Sequence, residues 1–344
     1  MIMRKSVFAA ALALVCVLVM SACALAAEKV TARISACNSM THPQTIGLMI
    51  MKQYVEDRTD GNFVINIFPN SQLGAEEESL AQVQTGTLEM ATASLAPVTT
   101  FQKNFFVLDI PFLFNSYNEA WMVMDSKVGQ DLLASLEECG MKGLAYMENG
   151  FRHTTSSVKP ITKLADFKGL KIRTMQNPMH MANFDALGAN PTPVPFSELY
   201  LSMQQKIVDG QENPIANMWD LNMYEVQKYV SLTSHIYDGM PLVANLRWFN
   251  KLPAEYQEAL AVGAVLGQNY SRFVNAGREE VILAELQKKG MKVNTLDPAA
   301  IAEIQKVAQP VVIEKAKKEL GAEYVDKFLA DVKAVKADIL KGMN

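Results

Sequence analysis

One stretch of the sequence limits the possible folds more than any other. From Pro253 to Gly290 the chain contains helix-forming residues and few helix breakers, a pattern that predicts one continuous helix. A helix of about 35 residues is about 50 Å long, which exceeds the width of one small domain. We therefore expect this helix to run along two domains and to tie them together.

The sequence before this stretch alternates between predicted strands and helices. Strands are predicted at 29–37 and 62–68, helices are predicted at 42–61 and 76–86, and a buried strand follows in "LEMATA". A second alternation begins near residue 143 and includes the strand "LKIRTM". Strands that alternate with helices form parallel sheets covered by helices. We predict an α/β fold with two lobes, in which helices flank mixed sheets and a cleft separates the lobes.

The N-terminal residues 1–27 are predicted to be a signal peptide and not part of the fold. A positive start at Arg4 and Lys5 precedes an apolar run of 15 residues and then the small residues of "SACALAA". Two processing routes stay open. Signal peptidase could cut after "ALA", or "MSAC" could act as a lipobox with Cys23 as the lipidated residue. Either route predicts an exported, periplasmic protein.

About 317 residues remain after this segment, which is enough for about two domains. We predict that lobe I comprises residues 28–149 and about 239–280, and that lobe II comprises residues 150–238 and about 281–344. The formal net charge is −4 and no basic run occurs, so nucleic acid is not an expected partner. Only Cys37 and Cys139 are certain to survive processing, and the sequence leaves open whether they form a disulfide.

Catalytic motifs are mostly absent from the sequence. It contains no G-x-S-x-G, H-E-x-x-H, G-x-x-x-x-G-K-[ST], G-x-G-x-x-G or C-x-x-C pattern, and its four histidines lack the spacing of metal ligands. We therefore predict no enzyme activity, no cofactor and no metal site. A periplasmic enzyme whose catalytic residues assemble only in space is an alternative.

One arginine stands where an α/β fold binds its ligands. Arg173 comes at the end of the strand "LKIRTM", and ligands of α/β sheets bind at the carboxyl ends of the strands. A guanidinium offers parallel donors that match a carboxylate, and it stays charged at any relevant pH. The sequence therefore favours a binding site for an anion. The alternative is that Arg173 pairs with an internal acid and holds two elements together.

Four segments carry a resemblance to a known family: "FPNSQLG" (68–74), "LADFKGLKIRTM" (164–175), "ELYLSMQQKIVDGQENP" (198–214) and "YEVQKYVSLTSH" (224–235). In this order, behind an export signal, they resemble the substrate-binding proteins of TRAP transporters of the DctP type. The resemblance covers essentially the whole mature chain. It implies a fold like that of periplasmic binding proteins.

The resemblance also implies roles for individual residues. Arg173 in "GLKIR" corresponds to the main carboxylate clamp, and Arg152 in "NGFRHTTSS" corresponds to a second, assisting arginine. Asn213 in "DGQENP" is implied to bind the same carboxylate, and Phe196 is implied to form an apolar wall.

Other candidate site residues are less specific. The resemblance implies that Glu76 and Ser94 occupy positions that can contact the distal part of a ligand, which varies within the family. His42 either contacts the ligand from a polar loop or acts as a capping or surface histidine. Trp219 and Tyr237 either line the cleft or pack against hydrophobic neighbours.

The function that the resemblance implies is capture of a small organic anion, a carboxylate. The protein would deliver it to the membrane permease of a TRAP transporter, and the two lobes would close around the ligand by a hinge motion. A monomer is the expected state for such a carrier. Two alternatives stay open: a phosphate-bearing or zwitterionic solute in the same cleft, and ligand sensing for a signalling receptor.

Overall fold

The computed structural model describes residues 29–342. The predicted signal peptide and the possible lipidation site at Cys23 lie outside these residues. Within the described part of the chain, every helix is too short or too polar to cross a membrane.

The described residues form nine strands in one sheet. These are β1 (Val30–Ser35), β2 (Phe63–Phe68), β3 (Met90–Thr92), β4 (Met141–Ser156), β5 (Lys171–Thr174), β6 (Asn190–Pro193), β7 (Gly210–Asn213), β8 (Tyr229–Asn245) and β9 (Lys292–Thr295). Their order is β2-β1-β3-β8-β4-β7-β5-β6, with β9 paired to β8. β1 pairs in parallel with β2 and β3, and β5 pairs in parallel with β6 and β7, whereas β4 pairs antiparallel with β7 and β8. The sheet is mixed, as predicted.

Helices cover the sheet. They are α1 (Pro43–Arg58), α2 (Glu76–Thr85), α3 (Leu95–Val98), α4 (Tyr117–Asp125), α5 (Lys127–Ser135), α6 (Pro178–Ala186), α7 (Leu199–Gln204), α8 (Ile215–Asp220), α9 (Leu246–Lys251), α10 (Ala254–Lys288), α11 (Pro298–Leu320) and α12 (Ala322–Gly342). Local chemistry sets several boundaries. α1 begins at Pro43. Proline has no backbone N–H, but the N–H groups of a helix's first turn have no partner within the helix, so proline costs no hydrogen bond there. α2 begins with three acidic residues at the positive end of the helix dipole and ends at Gly86, whose φ of +86° favours glycine.

Two long strands join the lobes. β4 has 16 residues and β8 has 17 residues, and they pair along most of their length. Their pairing shifts register between Glu148 and Gly150 and again between Arg152 and Thr154. Gly150 has a φ of +114°, and a Cβ there would lie 2.9 Å from the Asn275 amide nitrogen. The strands therefore bend at a place where only glycine fits.

The predicted long helix is confirmed as α10, which has 35 residues. It packs against α1 and β4 on one side of the bend and against α8 and β9 on the other. α10 and α1 approach closely, because a Cβ on Gly267 would lie 2.6 Å from the carbonyl oxygen of Gly47. Helix α10 thus ties the two halves of the sheet together.

The C-terminal helices also pack on both halves. Ile304 and Ala308 in α11 join a core that contains Phe167, whereas Val312 and the residues of α12 join the core beneath α4 and α5. The residue boundaries given above for the two lobes stay a prediction.

Candidate functional site

Arg173 lies at the C-terminal end of β5, between β6 and β7 in the sheet. Its side chain is 1% exposed, and its Nε donates to the carbonyl oxygen of Val194 at 2.7 Å. Its Nη1 is buried without a hydrogen-bond partner among the described residues. Because an unpaired buried donor is costly, this end of the side chain is arranged to receive an acceptor from outside the chain.

The charge of Arg173 is only partly balanced by the protein. Burial lowers the pKa of its guanidinium to about 10, the Glu212 carboxylate opposes this shift, and the nearby Arg152 adds to it. Within the part of the chain whose side chains are described, Arg173 forms no ion pair with an Asp or Glu. The guanidinium is therefore charged at neutral pH, and the alternative of an internal ion pair is not what the structure contains.

A small cavity adjoins this arginine. Its walls come from the start of α2, from α3, and from the segments that follow β5 and β6. The lining residues are Ala75, Glu76, Glu77, Pro97, Arg173, Met175, Gln176, Val194, Pro195 and Phe196. The fold thus brings Arg173, Phe196 and Glu76 together from distant parts of the sequence.

Glu76 stands in this cavity as a buried acceptor. Its Oε1 accepts hydrogen bonds from the Ser94 backbone N–H at 2.7 Å and from the Cys37 thiol at 3.5 Å. Burial raises the pKa of the Glu76 carboxyl, while the bond from Ser94 favours its ionised form. Ser94 therefore contacts Glu76 through its backbone N–H, and it is not among the described residues that line the cavity.

Cys37 and Cys139 are both free thiols, so they do not form a disulfide here.

Arg152 is fully buried and bound to the chain's own carboxylates. Its Nε donates to Glu212 Oε2 at 2.6 Å, and its Nη1 donates to Asp238 Oδ2 at 2.7 Å. These carboxylates raise the pKa of Arg152 further despite its burial, and Arg152 in turn holds the pKa of Glu212 well below its usual range. Asn213 belongs to the same network, because its Oδ1 accepts from Arg152 Nη2 at 3.2 Å.

Sequence reasoning missed Glu212 and Asp238, which hold Arg152. They lie 60 and 86 residues from it along the chain. β4 pairs with β7 so that Thr154 faces Glu212, and only this pairing brings the acid to the arginine. The one signal in the sequence was a glutamate directly before the candidate site residue Asn213.

A buried histidine extends this network on the other side. His180 lies 3.1 Å from Asp109 Oδ1 through its Nε2, and its Nδ1 lies 3.7 Å from Glu212 Oε1. Burial disfavours the charged ring, but the Asp109 carboxylate overcomes this effect and raises the pKa of His180 to about 9. The imidazolium is therefore positively charged at neutral pH and shares the Glu212 carboxylate with Arg152.

His42, Trp219 and Tyr237 do not line the cavity around Arg173 in the described structure. His42 is a buried N-cap residue of α1, where its Nδ1 accepts from the Gln44 N–H at 3.2 Å. Burial lowers its pKa to about 4. Trp219 packs against Tyr224, with ring centroids 5.6 Å apart and the rings tilted by 41°. Tyr237 is buried among aromatic rings and donates to Glu148 Oε2 at 2.9 Å. All three are satisfied by contacts within the chain.

The cavity is small, and its wall includes the charged Arg173 guanidinium, whose Nη1 has no hydrogen-bond partner among the described residues. This geometry suits an anion, and comparisons with known proteins agree with it. The sequence pattern of the family described as "Bacterial extracellular solute-binding protein, family 7" (DctP) matches residues 34–319. The chain belongs to this family. It is also 37% identical over 313 residues to the 2,3-diketo-L-gulonate-binding periplasmic protein YiaO of Escherichia coli, and the match covers 89% of each chain.

Solved structures of similar proteins share the fold. A TRAP periplasmic solute-binding protein from Polaromonas, bound to D-erythronate, is 35% identical, has a TM-score of 0.83, and covers 88% of this chain and 98% of its own. The sugar acid-binding protein DctPAm from Advenella mimigardefordensis, in complex with galactonate, is 32% identical with a TM-score of 0.86, and the coverage is 90% and 99%. These matches confirm the predicted two-lobed α/β fold.

Membership in the family also settles the class of function. Its proteins are the periplasmic solute-binding components of TRAP transport systems. The prediction of a solute-binding protein is thereby confirmed.

Proposed function

We propose that this protein captures a sugar acid, a small carboxylate that carries several hydroxyl groups, in the periplasm and delivers it to a TRAP-type permease. The observation that carries the proposal is the Arg173 guanidinium. It is buried and charged at the wall of the cavity, and its Nη1 has no partner within the described chain. A ligand carboxylate supplies the missing acceptor and the missing negative charge.

Glu76 supports a hydroxylated ligand over a dicarboxylate. Its carboxyl lines the same cavity as Arg173, so it can accept a hydrogen bond from a ligand hydroxyl. The second carboxylate of a dicarboxylate would lie against a like charge, which is unfavourable. The similar proteins named above, which bind 2,3-diketo-L-gulonate, D-erythronate and galactonate, have ligands of the favoured kind.

The position of Arg152 argues against a phosphate ligand. That alternative needs two arginines at one anion, but Arg152 already donates to Glu212 and Asp238. A zwitterion remains compatible with Glu76 and is therefore a useful comparison ligand.

The origin of the cavity walls supports the proposal that the two lobes close by a hinge motion. Glu76 and Pro97 lie in the predicted lobe I, whereas Arg173 and Phe196 lie in the predicted lobe II. A ligand that contacts both sets of residues binds the closed state more tightly than the open state, and this difference is what shifts the population. We propose that the permease recognises the closed state.

Thermal unfolding of the mature protein with a panel of compounds tests the proposal. The panel contains D-erythronate, D-galactonate and 2,3-diketo-L-gulonate, with succinate, a zwitterionic amino acid, and the uncharged polyols erythritol and galactitol for comparison. A ligand at 100 times its dissociation constant stabilises the fold by about 2.7 kcal/mol. We expect at least one sugar acid to do so and the polyols to do nothing. Equal stabilisation by acid and matching polyol would refute the role of the carboxylate.

A further inference from the structure

The loop after β1, residues 36–42, meets helix α8 across the bend of the sheet. β1 pairs with β3, and β3 pairs with residues 242–244 of β8, which lie beside β4 residues 142–145, before the bend. Helix α8 follows β7, which pairs with β4 residues 153–156, after the bend. The loop and α8 therefore belong to the two different halves of the sheet that the bend separates.

Asp220, the last residue of α8, makes this contact. Its Oδ2 accepts a hydrogen bond from the Ser39 backbone N–H at 2.8 Å, and its Oδ1 accepts one from the Ser39 hydroxyl. Both hydrogen bonds that the described chain gives this carboxylate come from that single residue of the opposite half. Hydrogen bonds to an ionised acceptor are roughly twice as strong as neutral ones, so this pair joins the two halves.

A buried asparagine reinforces the contact one turn earlier on α8. The Asn217 Nδ2 donates to Asn38 Oδ1 at 3.2 Å, and the Asn217 Oδ1 lies 3.4 Å from His42 Nε2. Ser39 and Asp220 are half-buried, whereas Asn217 is 2% exposed. Asp220 is therefore the member of this contact that can be replaced with the least disturbance of the packing beneath it.

We propose that Ser39 and Asp220 form a latch that holds the two lobes closed around the ligand without touching it. This inference rests on the proposed function, in which hinge closure captures the ligand. Neither residue is among those described as lining the cavity. A hinge motion that opens the cavity moves the two halves apart, so it breaks both hydrogen bonds to Asp220. Ser39 and Asp220 are therefore positioning residues, which act on the ligand through the population of the closed state.

The latch should change the affinity mainly through the dissociation rate. The apparent dissociation constant of a ligand is its intrinsic value divided by the fraction of protein in the binding-competent state. Loss of hydrogen bonds to a charged, half-buried group should lower a minor closed population about tenfold, and the dissociation constant should rise by the same factor. Because a ligand leaves through the open state, this change should appear mainly as faster dissociation.

The binding kinetics of D-galactonate to the mature protein test the latch. Asp220→Ala should raise the dissociation constant about tenfold, and Ser39→Ala, which keeps the backbone N–H, should raise it less. The double variant should bind no more weakly than Asp220→Ala, because the Ser39 hydroxyl acts through Asp220. The matched control is Asp185→Ala, the same substitution at an exposed position of α6, in the same half as α8. It should bind within about twofold of wild type.

A measurement without ligand separates the latch from the proposed function. Single-molecule FRET between dyes on azido amino acids at the exposed positions of Asp60 and Lys168, one in each half, gives the closed fraction of the empty protein. Because the latch does not include the ligand, we expect this fraction to be detectable in wild type and about tenfold lower in Asp220→Ala.

Three outcomes are decisive. The absence of a closed fraction, or an equal fraction in both proteins, would overturn the latch. Binding of D-galactonate to Asp220→Ala within about twofold of wild type would overturn it as well, while the proposed function would stand. If D-galactonate binds neither protein, that ligand is refuted for the proposed function, and the FRET difference alone decides the latch.

Discussion

Replacement of Arg173 by methionine separates ligand binding from stability. Methionine keeps much of the side-chain volume and removes the charge and every donor. In the ligand complex this leaves a buried carboxylate without its partner, which costs about 2–5 kcal/mol. We therefore expect the dissociation constant for the best sugar acid to rise between about thirty-fold and several thousand-fold.

The unliganded protein should respond in the opposite way. The lowered pKa of Arg173 means that keeping this buried group charged costs the empty fold on the order of 3 kcal/mol. The substitution removes this cost and loses one hydrogen bond to the Val194 carbonyl, which contributes about 1 kcal/mol. The unfolding temperature without ligand should therefore stay equal or rise.

Isothermal titration calorimetry and thermal unfolding, with and without ligand, measure the two effects separately. Arg247→Met is the matched control, because Arg247 is exposed on α9 and should affect neither quantity. An Arg173→Met protein that binds the acid within threefold of wild type would refute the assignment of the clamp. A large loss of stability without ligand would show that the arginine serves the fold instead.

Two further predictions concern the buried charges behind the cavity. Arg152→Met should lower the free energy of unfolding by about 3–5 kcal/mol in urea titrations, because Glu212 and Asp238 stay buried without the guanidinium that neutralises them. The exposed variant Arg247→Met should cost less than about 1 kcal/mol. His180 has a pKa raised to about 9 by Asp109 against the effect of burial, so its stabilising contribution is complete below about pH 6.5 and disappears as the pH rises through 9. Urea titrations at pH 6.5 and 9 should show this loss in wild type and a smaller one in His180→Asn; equal losses would contradict the assignment.

Local sequence patterns predicted most elements correctly. The helix predicted at 76–86 is α2, Glu76–Thr85, and the strand predicted at 62–68 is β2, Phe63–Phe68. The helix predicted between Pro253 and Gly290 is α10. These elements begin and end at prolines, glycines and acidic first turns, whose effects act within a few residues.

The candidate site was predictable only in part. A strand-terminal arginine at residue 173 pointed to the right edge of the sheet, and the cavity does adjoin it. The family resemblance implied that Arg152 assists Arg173 in binding the carboxylate, although the guanidinium of Arg152 is bound to Glu212 and Asp238. Tyr237 and Trp219 had contacts within the chain that no local pattern revealed.

The sequence by itself determined the helices, the strands, the long connecting helix and the presence of arginines suited to an anion. Only the tertiary structure decided which arginine is free to meet a ligand. The physical reason is that a guanidinium is neutralised by whichever carboxylates lie within a few ångströms of it. Strand pairing brings those carboxylates to Arg152 from 60 and 86 residues away and leaves Arg173 without one.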